Sequence, residues 1–349
     1  MLKRFFFRKK LKPLLFLVLV LAIELIKLDS NFVENFYSNL LYKKSSSVFI
    51  YIFSSIPFSV GDLLYLLVPF IIYSIIHKSN TRRKNLKNIF YFFTTIYIVF
   101  QVQWGLNYHR IPLKNKLEIK ENYNTRSLIE TTNLFIKETN NIHLKISKND
   151  TLAVFFNDDN TEIYEASINA AKKLENNNVI KNQMKYVSVK NSLFSTLLSY
   201  MGFGGYINPF TLEAQINRNI PTIQIPTTIC HEMAHQIGYS AENEANFIGI
   251  LATISSDNNI VKYSGNVLAL KYLLNELYKV DKKSFDQLYL KINKGVIKNI
   301  KQAEKEIDIF KNPFKPYLKN IYDRYLKANN QIAGIKSYSL VVNLLVNYY

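Results

Sequence analysis

The chain has 349 residues, 48% of them hydrophobic, a formal net charge of +18 and one cysteine, Cys230. A single cysteine excludes an intrachain disulfide, and the size allows one good-sized domain plus a membrane segment. Residues 1–12 hold six Lys/Arg and residues 78–87 hold five, neither with an acid, and no dense basic stripe with interleaved aromatics appears elsewhere, so nucleic acid is not an expected partner.

Apolar residues crowd the first 106 positions. A membrane-spanning helix needs about 20 mostly apolar residues, with a range near 17–25. Three stretches approach that: about 13–28, 60–76 and 89–106. The first and third are short, and flanking Lys/Arg can snorkel to extend them. Val48–Pro57 reads as an interfacial or re-entrant piece. No small-residue cleavage site follows residue 28, so the first stretch is expected to stay as an anchor. Two spans separate the basic segments 1–12 and 78–87, and basic loops prefer the cytoplasmic side. The pattern predicts a multi-pass inner-membrane protein with a cytoplasmic N-terminus. Residues 1–106 form the anchor, and 107–349 form an extracytoplasmic, periplasmic domain. Asp62 is expected as a first-turn carboxylate favoured by the helix dipole.

Beyond the anchor, residues 107–124 read as a polar linker. Ser127–Asn140 and Glu162–Leu174 have helical apolar spacing. Thr151–Phe156 and Tyr186–Val189 read as strands, with a polar turn NDDN (157–160) between elements. Ser192–Met201 reads as a helix ended by GFGG, and Thr211–Asn217 as an edge strand. From Thr228 onward the pattern is helical, ending in SLVVNLLVNYY, too short to span and expected to pack on the domain. The fold class is α+β: transmembrane helices, then a largely helical domain with a small sheet.

The stretch TTICHEMAHQIG (227–238) contains HExxH. On a helix, His231 and His235 face the same way, and two neutral imidazoles suit Zn²⁺. Glu232 falls where a general base is needed. Thr227 or Thr228 is the expected N-cap, and Gly238 the expected stop. A third ligand is still required, and the position that carries it as histidine in HExxHxxGxxH enzymes is Ala241. A second helix starting near Ser240 offers Glu242, with Glu244 as the alternative. Glu242 with Ala245 and Asn246 resembles the ExxA(D/N) pattern of glutamate-zincins, in which the last residue supports a ligand histidine from outside the ligand set.

The chain resembles the bacterial membrane family catalogued as domain of unknown function 3810, found mainly in Bacteroidota. The resemblance rests on IPFSVGDLLY (56–65), WGLNYHR (104–110), GGYINPFTLEAQIN (204–217), HEMAHQIG (231–238), ENEANF (242–247) and YDRYLKANNQIAGIKSYS (322–339). The family looks like zinc metallopeptidases of the glutamate-zincin type, which implies one Zn²⁺ per chain and a zincin-like domain. In such enzymes the edge strand before the HExxH helix binds substrate backbone. Here that implies Thr211, Glu213, Gln215 and Asn217, by strand addition.

Tyr338 is the candidate oxyanion stabiliser. Arg218 is expected to be a solvated charge, His109 an interfacial polar residue and Cys230 a packed thiol. The expected function is hydrolysis of peptide bonds in a peptide or protein substrate, by a membrane-anchored enzyme. The alternatives are an inactive zincin-like sensor or assembly factor, and an amidase on cell-wall peptides. No oligomeric state is implied.

Overall fold

The computed structural model describes residues 2–78, 81–156, 161–174 and 186–349. Its first half runs α1 (Leu2–Ile26), α2 (Ser30–Phe32), a π-helical stretch Val33–Tyr42, α3 (Lys43–Ser54), α4 (Val60–His77) and α5 (Arg82–Gln103). A 3-10 turn, Gly105–His109, and α6 (Leu113–Lys116) lead to α7 (Thr125–Ser147) and α8 (Thr161–Leu174). Then come β1 (Val189–Asn191), α9 (Ser195–Met201), β2 (Gly205–Ile207) and β3 (Ala214–Ile216). The rest is helical: α10 (Ile225–Gln236), α11 (Glu242–Ile254), α12 (Asn259–Val280), α13 (Lys282–Tyr289), α14 (Lys294–Asp308), α15 (Lys315–Ala328) and α16 (Val341–Tyr348).

The chain is therefore mostly helical with a small three-stranded sheet. Among the described residues, Val60–His77 is the helix long and apolar enough to cross a membrane. Its Leu66, Leu67 and Phe70 are exposed, as are Leu15 and Val18 of α1 and Phe90 and Phe93 of α5. α16 buries Val341, Val342, Leu344 and Leu345, as its apolar sequence implied.

Two cores organise the rest. The larger one gathers α7, α8, α10, α11, α12 and α16 around Leu128, Ile229, Met233, Phe247 and Leu270. The smaller one joins Tyr37, Tyr42, Trp104 and Leu106 to Ile207 and Leu212 beside the sheet. A boundary at residue 106 would cut through this second core and through the turn Gly105–His109. The expected polar linker 107–124 is corrected: Asn107, Arg110 and Leu113 are buried, the first two against the end of α10 and Leu113 in the larger core.

Two strand expectations are corrected as well. Residues 151–156 form no strand, because the backbone groups of Val154 are taken by the Asn299 side chain, N–H to Oδ1 at 2.9 Å and C=O from Nδ2 at 2.9 Å. The NDDN turn at 157–160 lies outside the described residues. Thr211–Asn217 is not an edge strand. The sheet order is β1-β3-β2, with β1 parallel and β2 antiparallel to β3. Both sides of β3 are paired, and Thr211, Glu213, Gln215 and Asn217 are wholly buried. That closes the backbone of β3 to any added strand.

Candidate metal centre

The HExxH helix starts earlier than the threonines implied. Pro226 sits in its first turn, where a missing N–H costs nothing, and Thr227 turns its hydroxyl back to Gln224 O at 3.0 Å. It ends as expected at Gly238, whose φ of +87° is left-handed. The exposed carbonyls of that last turn are met by side chains from the N-terminal half. Trp104 Nε1 donates to His235 O at 3.2 Å, the Tyr42 hydroxyl to Gln236 O at 2.9 Å, and Arg110 Nη1 to Gly238 O at 2.9 Å. Arg110 is itself held by Glu34, through Nε and Nη2 at 2.9 Å each, and lies 4.4 Å over the Tyr239 ring. Gln236 Nε2 donates to Ser188 O and Leu212 O, both at 2.8 Å, fixing the helix against the sheet.

On that helix the His231 and His235 rings stand edge to face, centroids 4.6 Å apart. His235 Nδ1 lies 2.7 Å from Tyr239 O. A carbonyl only accepts, so Nδ1 carries the proton and Nε2 of the neutral ring presents a lone pair. The next helix crosses close. Gly249 makes room for this, since a Cβ there would lie 3.1 Å from both His231 N and Thr227 O. α11 thereby brings the Glu242 carboxylate to the histidines, Oε2 to His231 Nε2 at 3.3 Å and Oε1 to His235 Nε2 at 3.9 Å. Ligand atoms about 2.0–2.1 Å from a tetrahedral zinc stand roughly 3.3 Å apart.

Glu244 goes elsewhere: its Oε1 accepts from Leu113 N at 2.6 Å, near Arg110 and Lys116. Asn246 Nδ2 donates to Glu242 O at 2.8 Å, and its side chain adjoins His231. Tyr322, on α15, donates its hydroxyl to Glu242 Oε1 at 2.7 Å. Nothing in the spacing of HExxH points to Tyr322. Its only sequence signal is that it opens the stretch 322–339. The Tyr338 side chain lies outside the described residues. Arg218 is exposed, as expected, and its backbone N–H donates to Ser195 Oγ at 3.1 Å. Cys230 is buried against Ser167 O, and burial pushes its thiol pKa up, in keeping with a packed group. His109 is half-buried.

Glu232 lies on the sheet side. A Cβ on Gly205 would lie 2.9 Å from Glu232 Oε1 and 2.6 Å from Gln215 O, so β2 can run here only as glycine. Its ligating-type atoms and those of His231 and His235 all lie within 4.8 Å of one another. Burial raises the Glu232 carboxyl to about 8, partly offset by His231. Burial also lowers His235 to about 4, with His231 adding to it. Burial opposes ionisation of Glu242, but His231, His235 and Tyr322 outweigh it and hold the carboxyl at about 2. His231 is raised, against burial, by Glu242 and Glu232.

Three buried side-chain atoms here lack a hydrogen-bond partner: His231 Nδ1, Glu232 Oε2 and Glu242 Oε2. Unpaired buried acceptors beside a carboxylate are costly without a cation. Two imidazoles and one carboxylate converging on a common point are a donor set that suits zinc. The residues present fit the ion.

The family described as "Protein of unknown function (DUF3810)" matches residues 37–346, and the chain belongs to it. No curated protein and no solved structure matches the chain.

Proposed function

We propose that this member of the DUF3810 family is a membrane-anchored, zinc-dependent hydrolase of peptide bonds, built like a glutamate-zincin. One observation carries the reading: Glu242 Oε2, buried, stands 3.3 Å from His231 Nε2 on the face that also presents His235. His231, His235 and Glu242 would hold the ion, with Asn246 beside His231 and bonded to Glu242 O. A bound zinc polarises a carbonyl and lowers the pKa of a water towards about 7. Glu232 takes the proton from the attacking water and returns it to the leaving amine. A raised carboxyl pKa suits that exchange. Tyr322 fixes the rotamer of Glu242.

The substrate backbone adds to β2 rather than β3. Ladder bonds from Asn217 N to Gly204 O at 2.9 Å and from Asn208 N to Glu213 O at 2.9 Å set the alternation. Gly205 and Ile207, in between, point their N–H and C=O groups away from β3, toward the edge that no strand among the described residues covers. A peptide laid there passes Glu232.

α1, α4 and α5 cross the inner membrane, with the N-terminus inside and the site on the periplasmic face. The two basic segments on one side and the exposed apolar side chains of all three helices support this. The test is turnover by the full-length chain in vesicles. Zinc-dependent cleavage lost in Glu232→Gln supports the reading. Equal cleavage by that variant refutes it, and folded, zinc-loaded protein that cleaves nothing favours a binding role instead.

A further inference from the structure

We infer that the substrates of this site are polypeptides anchored in the same membrane, cut within a few residues of where they leave the bilayer. This rests on the hydrolase reading and on α4 as a span.

The starting point is Asp62, wholly buried in the first turn of α4. Its carboxylate accepts from Ser192 Oγ at 3.0 Å, from Leu193 N at 2.7 Å and from the Tyr206 hydroxyl. Beside it, Glu213 accepts from Val60 N at 3.2 Å and Gly61 N at 2.6 Å, capping the same turn. Lys190 pairs with Glu213 and also donates to Phe53 O at 2.8 Å and Phe58 O at 2.9 Å. Residues in or next to all three strands thus grip the first turn of α4. Pulling the sheet from the helix would strip the buried Asp62 and Glu213 carboxylates of these hydrogen bonds, which is strongly unfavourable. The height of the sheet above the bilayer is therefore fixed.

That height is small. Tyr206 holds Asp62, its neighbour Gly205 is one strand step away, and Gly205 packs on Glu232. A carboxylate, a phenol, a strand step and a glutamate side chain span on the order of 15 Å, and any sideways component only lowers the site. Apolar side chains of α4 face outward immediately below, from Leu63 and Leu64 onward. α9 departs from the same point, and Leu193 in the turn before it and Leu197 and Tyr200 on it are exposed, extending the apolar surface onto the domain. An extended chain advances about 3.3 Å per residue, so roughly five residues outside the bilayer suffice to reach Glu232. A folded soluble protein must bring its own cleavage site down to that level. A segment next to a span is held there by its own anchor, at a high effective concentration.

The experiment reconstitutes the full-length, zinc-loaded chain in vesicles with a total membrane-protein extract, adds a soluble-protein extract outside, and repeats this with Glu232→Gln. New N-termini are mapped by amine labelling and mass spectrometry. The inference expects Glu232-dependent termini within roughly ten residues of span ends, enriched at least about tenfold over soluble proteins. Glu232-dependent termini spread evenly through soluble and membrane proteins overturn the inference and leave the hydrolase. No Glu232-dependent terminus from folded, zinc-loaded protein overturns the hydrolase reading, and the inference with it.

Discussion

The Tyr322 hydroxyl donates to Glu242 Oε1 at 2.7 Å, tying α15 to α11 across the histidine pair. The phenol ring also packs edge-on to Phe203, centroids 4.7 Å apart, just before β2. One side chain therefore touches both the carboxylate beside the histidines and the approach to the open strand.

Removing only that hydroxyl, in Tyr322→Phe, is expected to leave the fold intact and loosen the carboxylate. Partners that orient a metal ligand are worth about 10–100-fold in metal affinity or activity. Zinc affinity measured by competition with a chelator should fall within that range. An unchanged affinity would mean that Glu242 is held by its helix alone.

Glu242 and Glu244 are two residues apart and face different partners, which separates their substitutions. On the proposed zinc reading, Glu242→Gln should abolish metal binding by the full-length chain, as should His231→Ala, against about one ion per wild-type chain. Glu244→Gln should keep the ion, because its amide oxygen still accepts from Leu113 N. Metal content by mass spectrometry checks all three. Zinc lost from Glu244→Gln alone would reverse the assignment.

Glu34 forms an acid-sensitive buried ion pair with Arg110. Burial works against its ionisation, yet Arg110 and Lys116 hold its carboxyl at about 2, below the ordinary 4.5. A carboxyl lowered on folding stabilises the folded state above its unfolded pKa, and that stability is lost as pH falls through the folded value. Its contribution should be complete at pH 6 and decline between 4.5 and about 2. Arg110→Met breaks a buried pair and a cap, for a loss of about 3 kcal/mol, with Lys116 as a remaining partner. Melting in detergent should show a lower midpoint for this variant at neutral pH and a smaller further drop on acidification. Parallel curves for wild type and variant would argue against the coupling.

A chain beginning at residue 107 should fold poorly. It lacks Trp104 and Tyr42, which meet two carbonyls at the end of α10, and Glu34, which neutralises Arg110. It also loses Val60 N and Gly61 N, which donate to Glu213, and Phe53 O and Phe58 O, which accept from Lys190. Each buried group left unsatisfied costs about 1–3 kcal/mol, enough together to exceed ordinary domain stability. Circular dichroism and melting of the truncated chain against the whole one would decide it. A cooperative transition near that of the full chain would establish 107–349 as an independent unit.

What the sequence determined by itself was local. A helix repeats every 3.6 residues, so HExxH alone implies that His231 and His235 share a face, and Gly238 alone implies where their helix stops. The helices Thr125–Ser147, Thr161–Leu174 and Val341–Tyr348 were legible for the same reason, from apolar spacing. The membrane-length helix Val60–His77 was legible from length and composition. Tertiary structure decided everything that depends on which distant segments meet. Glu242 and Glu244 occupy the same first turn, and only the crossing of α11 over α10 at Gly249 decides which reaches the histidines. Tyr322 is one of 24 tyrosines, and no local pattern ties it to a helix about 80 residues earlier. The strand around Gln215 alternates as an edge strand does, but its pairing with β1 on one side and β2 on the other makes it central. The same holds for Asp62. Its place in a first turn is legible, whereas its burial among Ser192, Leu193 and Tyr206 comes from contacts more than 100 residues apart in the chain. Periodicity fixes directions within an element, and packing between elements fixes partners.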